Sequence, residues 1–134
     1  MDAELRHRIY QALASGGPAP RAAELGPAAL RRLHDAHALV LGDDGEVRMA
    51  LPFSNIDTDY VVESDGRRWR ANCAWDTFGI VHLLGLAQAR IVDLGGRGRE
   101  ARTLRVEAGE LLDRDGVVAF PLPARLWWQD IVFT

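Results

Sequence analysis

At 134 residues the chain fits one compact domain, or two very small ones sharing a core. Hydrophobic residues at 48% and charged residues at 26% give an ordinary globular composition, and no apolar run approaches the roughly 20 residues that a membrane-spanning helix needs. The formal net charge of -3 argues against a broad nucleic-acid surface, because phosphate binding is driven by clustered positive charge. The start, Met1-Asp2-Ala3-Glu4, is acidic and lacks the basic-then-apolar pattern of a signal peptide. A single cysteine forms no internal disulfide, which fits a reducing compartment. The expected location is cytoplasmic.

Leu5, Ile9 and Leu13 recur every four residues and predict a helix over residues 3–14, stopped by Gly16-Gly17. A short helix is expected from Arg21 to Leu25. A third starts at Pro27, which suits a first helical turn, and runs to about Ala38 with Leu30, Leu33 and His37 on one side. Leu39-Val40-Leu41 and Val47-Arg48-Met49 flank the turn-rich Gly42-Asp43-Asp44-Gly45, a hairpin signal. Three helices and a hairpin outline a winged helix. Arg31 and Arg32 are the candidates for a DNA-reading helix, but acids outnumber bases over residues 1–52.

From Phe53 the pattern turns β-rich. Tyr60-Val61-Val62 and Arg67-Arg68-Trp69-Arg70 flank Ser64-Asp65-Gly66, a second hairpin. A helix is expected from Ala74 to Leu84, ended by Gly85. Further strands are expected at 87–92, 103–106, 117–120 and 127–133. The fold class is therefore α+β: a three-helix, winged-helix-like region at 1–52, then a mixed β-sheet core with one main helix at 53–134.

Cys73 is the candidate chemical centre. It stands where a strand gives way to a helix, and the free N–H groups and dipole of a helix start stabilise negative charge. A thiol so placed is expected to ionise more easily than a free one, whose pKa is about 8.5, whereas a nearby carboxylate such as Asp76 opposes thiolate formation unless it is protonated or turned away. Asp76 lies three residues on, a spacing that puts both side chains on one helix face. The pair could act together as soft nucleophile and proton carrier. The plainer reading is a small buried hydrophobe beside a first-turn acid. His82 does not share that face and reads as a surface residue. Trp127 and Trp128 read as core or interface aromatics before they read as pocket walls. Arg67, Arg68 and Arg70 fit an anion-attracting cluster or the outer face of an edge strand.

The stretch Gly66-Arg67-Arg68-Trp69-Arg70-Ala71-Asn72-Cys73-Ala74-Trp75-Asp76-Thr77 resembles the organomercurial (alkylmercury) lyase family, in which a basic, aromatic strand runs into a Cys-Ala-x-Asp-Thr helix start. The segment Ile80 to Gly85 and the order of parts are similar too. The resemblance implies a lyase that breaks a carbon–mercury bond by protonolysis. Cys73 would be the thiolate that holds the metal, and Asp76 the proton carrier. Mercury, a soft ion that prefers thiolates, would arrive with a small-molecule substrate, and no resident cofactor is implied. The family's second cysteine falls roughly at 127–133, where this chain has none, so an external thiol would have to replace it. Family members usually continue beyond the point matched by Thr134. Two other classes stay open: a soft-metal or small-ligand binding protein without turnover, and a winged-helix DNA-binding regulator. An exposed apolar terminal strand would favour a homodimer.

Overall fold

A computed structural model describes residues 2–131. Three helices come first: α1 (Asp2–Ala14), α2 (Ala22–Leu25) and α3 (Pro27–Asp35). Then follow β1 (Val40–Leu41), β2 (Val47–Ala50), β3 (Phe53–Ser54), β4 (Tyr60–Ser64) and β5 (Arg67–Ala71). Helix α4 (Ala74–Leu83) precedes β6 (Ala89–Asp93), β7 (Arg102–Glu107), β8 (Glu110–Leu111) and a 3₁₀ helix at Ala124–Gln129. The architecture is α+β, as expected.

The strands form one eight-stranded sheet in the order β1-β2-β3-β5-β4-β6-β7-β8. Every pairing among the described residues is antiparallel, so the sheet is not mixed. The reason is local: several neighbours in the sheet are hairpin partners, and a tight turn can join only antiparallel strands. In the β4–β5 hairpin Ser64 pairs with Arg67, and the intervening Asp65 and Gly66 have φ of 51° and 72°. Two positive φ values are what a two-residue turn of the hairpin hand requires, and Asp-Gly supplies them at low steric cost. Ala108 and Gly109 repeat the device between β7 and β8.

One hydrophobic cluster joins the helical part to the sheet. Leu5, Ile9 and Leu13 of α1 and Leu30 and Leu33 of α3 meet Phe53, Val62, Trp69, Ile80 and Ile91. Val62 pairs with Trp69 on one side and Ile91 on the other, which places the three on one face of the sheet. Polar anchors fix the helix on that face: the Trp69 indole N–H donates to the Ala14 carbonyl at 2.8 Å, and the Tyr10 hydroxyl to the Leu51 carbonyl at 2.8 Å. Phe53 is the largest fully enclosed side chain, and its ring meets that of Tyr10 edge-on at 6.3 Å. Phe53→Ala is expected to destabilise the fold by roughly 3–5 kcal/mol, read as a lower urea midpoint at unchanged slope.

Four sequence expectations need correction. Helix α3 ends at Asp35, and His37 lies beyond it in the left-handed region (φ 57°), exposed and stacked on Trp128 at 4.1 Å rather than on the buried side. Residues 117–120 form no strand. Gly116 before them and Pro121 and Pro123 after them break up any ladder, since proline has no N–H to give. Trp127, Trp128 and Gln129, expected in a strand, belong to the 3₁₀ helix that Pro123 introduces; the end of that expected strand, 132–134, lies outside the described residues. Strand β5 is internal, between β3 and β4, although β3 reaches it only at Ala71. Its arginines are engaged: Arg67 over the Trp69 ring at 5.1 Å, Arg68 4.0 Å from Glu63 and Arg70 3.1 Å from Asp57.

Candidate functional site

The site forms where β5 hands over to α4. Ala71, the last residue of β5, pairs with both Phe53 and Tyr60. The Thr58 hydroxyl donates to the Ala71 carbonyl at 2.6 Å. The strand end is thus held from both sides, and the next three residues leave it in a fixed direction. Cys73 is the residue before the helix, in an extended conformation (φ -151°, ψ 177°). Helix α4 closes with Gly85 at φ 60°, where the Leu86 N–H returns to the Val81 carbonyl and the Gly85 N–H to the His82 carbonyl. His82 is exposed in the last turn and lines a surface groove with Asp76 that Cys73 does not reach.

Cys73 is half-buried at the junction of two spaces. One is a cavity of about 60 Å³, mainly apolar, walled by Met49, Leu51, Trp75, Asp76, Phe120 and Trp127 along with Cys73 itself. The other is more polar, about 400 Å³, and includes Asp59, Tyr60, Arg97 and Arg99. Asp76 opens on the small cavity and not on the large one. The 3₁₀ segment roofs the small cavity: Phe120 and Trp127 rings lie 5.0 Å apart, and Trp75 meets Phe120 edge-on at 6.3 Å. Trp127 therefore lines a cavity after all, whereas Trp128 lies on His37.

The sequence predicts a readily ionised thiol; the structure gives the reverse. Burial and, next, the negative charge of Asp76 push the Cys73 thiol up to about 11, against the downward pull of the Asp76 and Trp75 backbone N–H groups at the helix start. Burial also raises Asp76, partly offset by its contacts with Asn72 and Cys73. Burial thus shifts both groups upward. Since thiolate is the reactive species, the Cys73 alkylation rate should keep rising with pH well past the usual thiol midpoint. Iodoacetamide kinetics check this directly, because the chain has one thiol; Asp76→Asn should move the profile to lower pH by removing the opposing charge.

Asn72, given no role by the sequence reading, is the third member of the group. Its Nδ2 lies 3.0 Å from the Phe53 carbonyl, 3.2 Å from the Pro52 carbonyl and 3.3 Å from Oδ2 of Asp76. Its Oδ1 is buried without a hydrogen-bond partner among the described residues. Such an orphan acceptor costs on the order of 1–3 kcal/mol. The only sequence signal was its place beside Cys73; the two carbonyls it meets lie about twenty positions upstream. No cluster of three or more His, Cys, Asp or Glu side chains converges among the described residues, so Cys73 is the one thiol of this site. No helix among the described residues is long and apolar enough to cross a membrane.

Fold and site together define an α+β protein with a thiol and a carboxyl side by side on a small apolar cavity. The alkylmercury lyase family (MerB) matches residues 53–134, and the chain belongs to that family. Among solved structures the fold is similar to that described as "Crystal structure of the mercury-bound form of MerB2", with a TM-score of 0.63 at 20% identity, over 84% of this chain. The chain spans 58% of that protein's length. No curated protein matches the sequence.

Proposed function

We propose that the protein cleaves carbon–mercury bonds by protonolysis, with Cys73 as the metal-binding thiolate and Asp76 as the proton carrier. The observation that carries this reading is the placement of the chain's only thiol and a half-buried carboxyl on one apolar cavity. Family membership supports it.

The proton inventory follows from the two raised groups. At neutral pH Cys73 holds its proton. An organomercury cation meeting the sulfur displaces that proton, and the neighbouring Asp76 carboxylate can take it up. The S–Hg bond forms, and Asp76 becomes the neutral acid that its buried setting favours. The carbon–mercury bond then breaks: the carbon takes the proton from Asp76 and leaves as hydrocarbon, while mercury needs a second soft ligand. The region where the family's second cysteine falls brings Trp127 and Ile131 to this cavity, and neither offers a thiolate. A thiol from solution, reaching Cys73 through the larger cavity, gives its proton to the Asp76 carboxylate or to water and supplies the second sulfur, leaving mercury as a bis-thiolate. Mercury is substrate throughout. Residues 1–52 are read as a winged-helix-like cap on the lyase-like core at 53–134, a division supported by the order of elements.

The test is single-turnover release of benzene from phenylmercury, with and without excess small thiol. Thiol-dependent benzene formation is expected. Mercury retained on Cys73 with no benzene at any thiol concentration would reduce the protein to a binder.

A further inference from the structure

We propose that Asn72 is the positioning residue for the proton carrier: its side-chain amide ties the Asp76 carboxyl to the Pro52–Phe53 backbone and reserves Oδ1 of Asp76 for the proton. The proposal rests on the reading of Asp76 given above.

The amide can face only one way. Its Nδ2 looks onto two carbonyl oxygens and a carboxylate oxygen, all acceptors; turning the group over would set its own oxygen against all three. In the orientation adopted, Oδ1 of Asn72 is left buried and unpartnered among the described residues. A residue kept merely to fill the end of a strand would not need an orphaned acceptor. What the side chain contributes is the NH₂ end, and that end faces Asp76.

Two hydrogens on Nδ2 serve three acceptors. The Asp76 contact, at 3.3 Å, is the longest of the three. Donation to Oδ2 makes that oxygen the less basic of the two, so the proton goes to Oδ1. The anchor is firm because the carbonyl of Phe53 belongs to the residue that pairs with Ala71, immediately before Asn72. Asn72 thus spans β3, the end of β5 and the first turn of α4.

The direct test is read on the wild-type protein. Carbon-13 NMR follows the Asp76 carboxyl through its titration, with Asp76→Asn assigning the signal, while the Asn72 side-chain amide resonances are followed in the same samples. The amide protons are expected to shift with the midpoint of Asp76. Amide signals indifferent to that titration would overturn the proposal. In Asn72→Leu the Asp76 midpoint is expected to move to higher pH, because the carboxylate loses a donor. In Asn72→Ser, which keeps one donor, it should fall between. Single-turnover benzene release should drop roughly ten- to a hundredfold in Asn72→Leu, with mercury binding to Cys73 unchanged. A folded Leu variant with an unmoved Asp76 midpoint would leave Asn72 a structural clamp and nothing more. If the Leu variant does not fold, the Ser variant and the wild-type amide signals decide. If the wild type yields no benzene, the lyase reading fails, and the NMR titration still judges the role of Asn72.

Discussion

Asp76→Asn is expected to retain phenylmercury and to lose benzene release by about two to four orders of magnitude, the usual contribution of a positioned acid. An asparagine amide has the shape of the carboxyl and no proton to give to a departing carbon. The thiol beside it should become easier to ionise, because the charge that opposes ionisation is gone. Mercury capture should therefore persist, with the thiol proton passing to solvent instead of to residue 76. Stopped-flow mixing with phenylmercury, read for sulfur–mercury absorbance and sampled for benzene, separates the two steps. Benzene at the wild-type rate from the Asn variant would remove Asp76 from the chemistry.

Cys73→Ser is expected to remove both binding and turnover. A hydroxyl is a hard, weakly acidic donor and a poor match for a soft metal. With no other cysteine in the chain, nothing can take its place. Retention of mercury after gel filtration in competing thiol should fall to background, with benzene release at the uncatalysed rate. The fold should survive, since the thiol is half-exposed and a serine hydroxyl can accept from the same helix-start N–H groups of Trp75 and Asp76. Mercury held as tightly by the Ser variant would place the binding site elsewhere.

The helices and the two hairpins were legible because their signals are local. The four-residue period of Leu5, Ile9 and Leu13 describes one helix face, and Asp65-Gly66 describes one turn. Cys73 and Asp76 could be paired because their spacing is a property of the helix that holds both. What sequence reading missed depends on distant partners. The roof of Phe120 and Trp127 was assigned to strands, because aromatic and β-branched residues look the same in a strand as in a proline-bounded loop. The raised thiol was missed because burial, which decides it, comes from residues far along the chain such as Met49 and Trp127. Asn72 was passed over because its acceptors belong to another strand.

The roof over Cys73 and the sheet beneath it are attached by different kinds of bond. Residues 117–129 carry no strand ladder; among the described residues, ring contacts of Phe120 and Trp127 and the stack of Trp128 on His37 help hold them down. The sheet is laced by backbone pairing from β1 to β8. Release of the segment and unfolding of the domain are therefore separate events with separate equilibrium constants, the first the smaller in free energy. The reactivity of Cys73 toward a bulky reagent would report the first of these and global denaturation the second. A stabilised core would make the protein hardier without making its thiol any harder to reach.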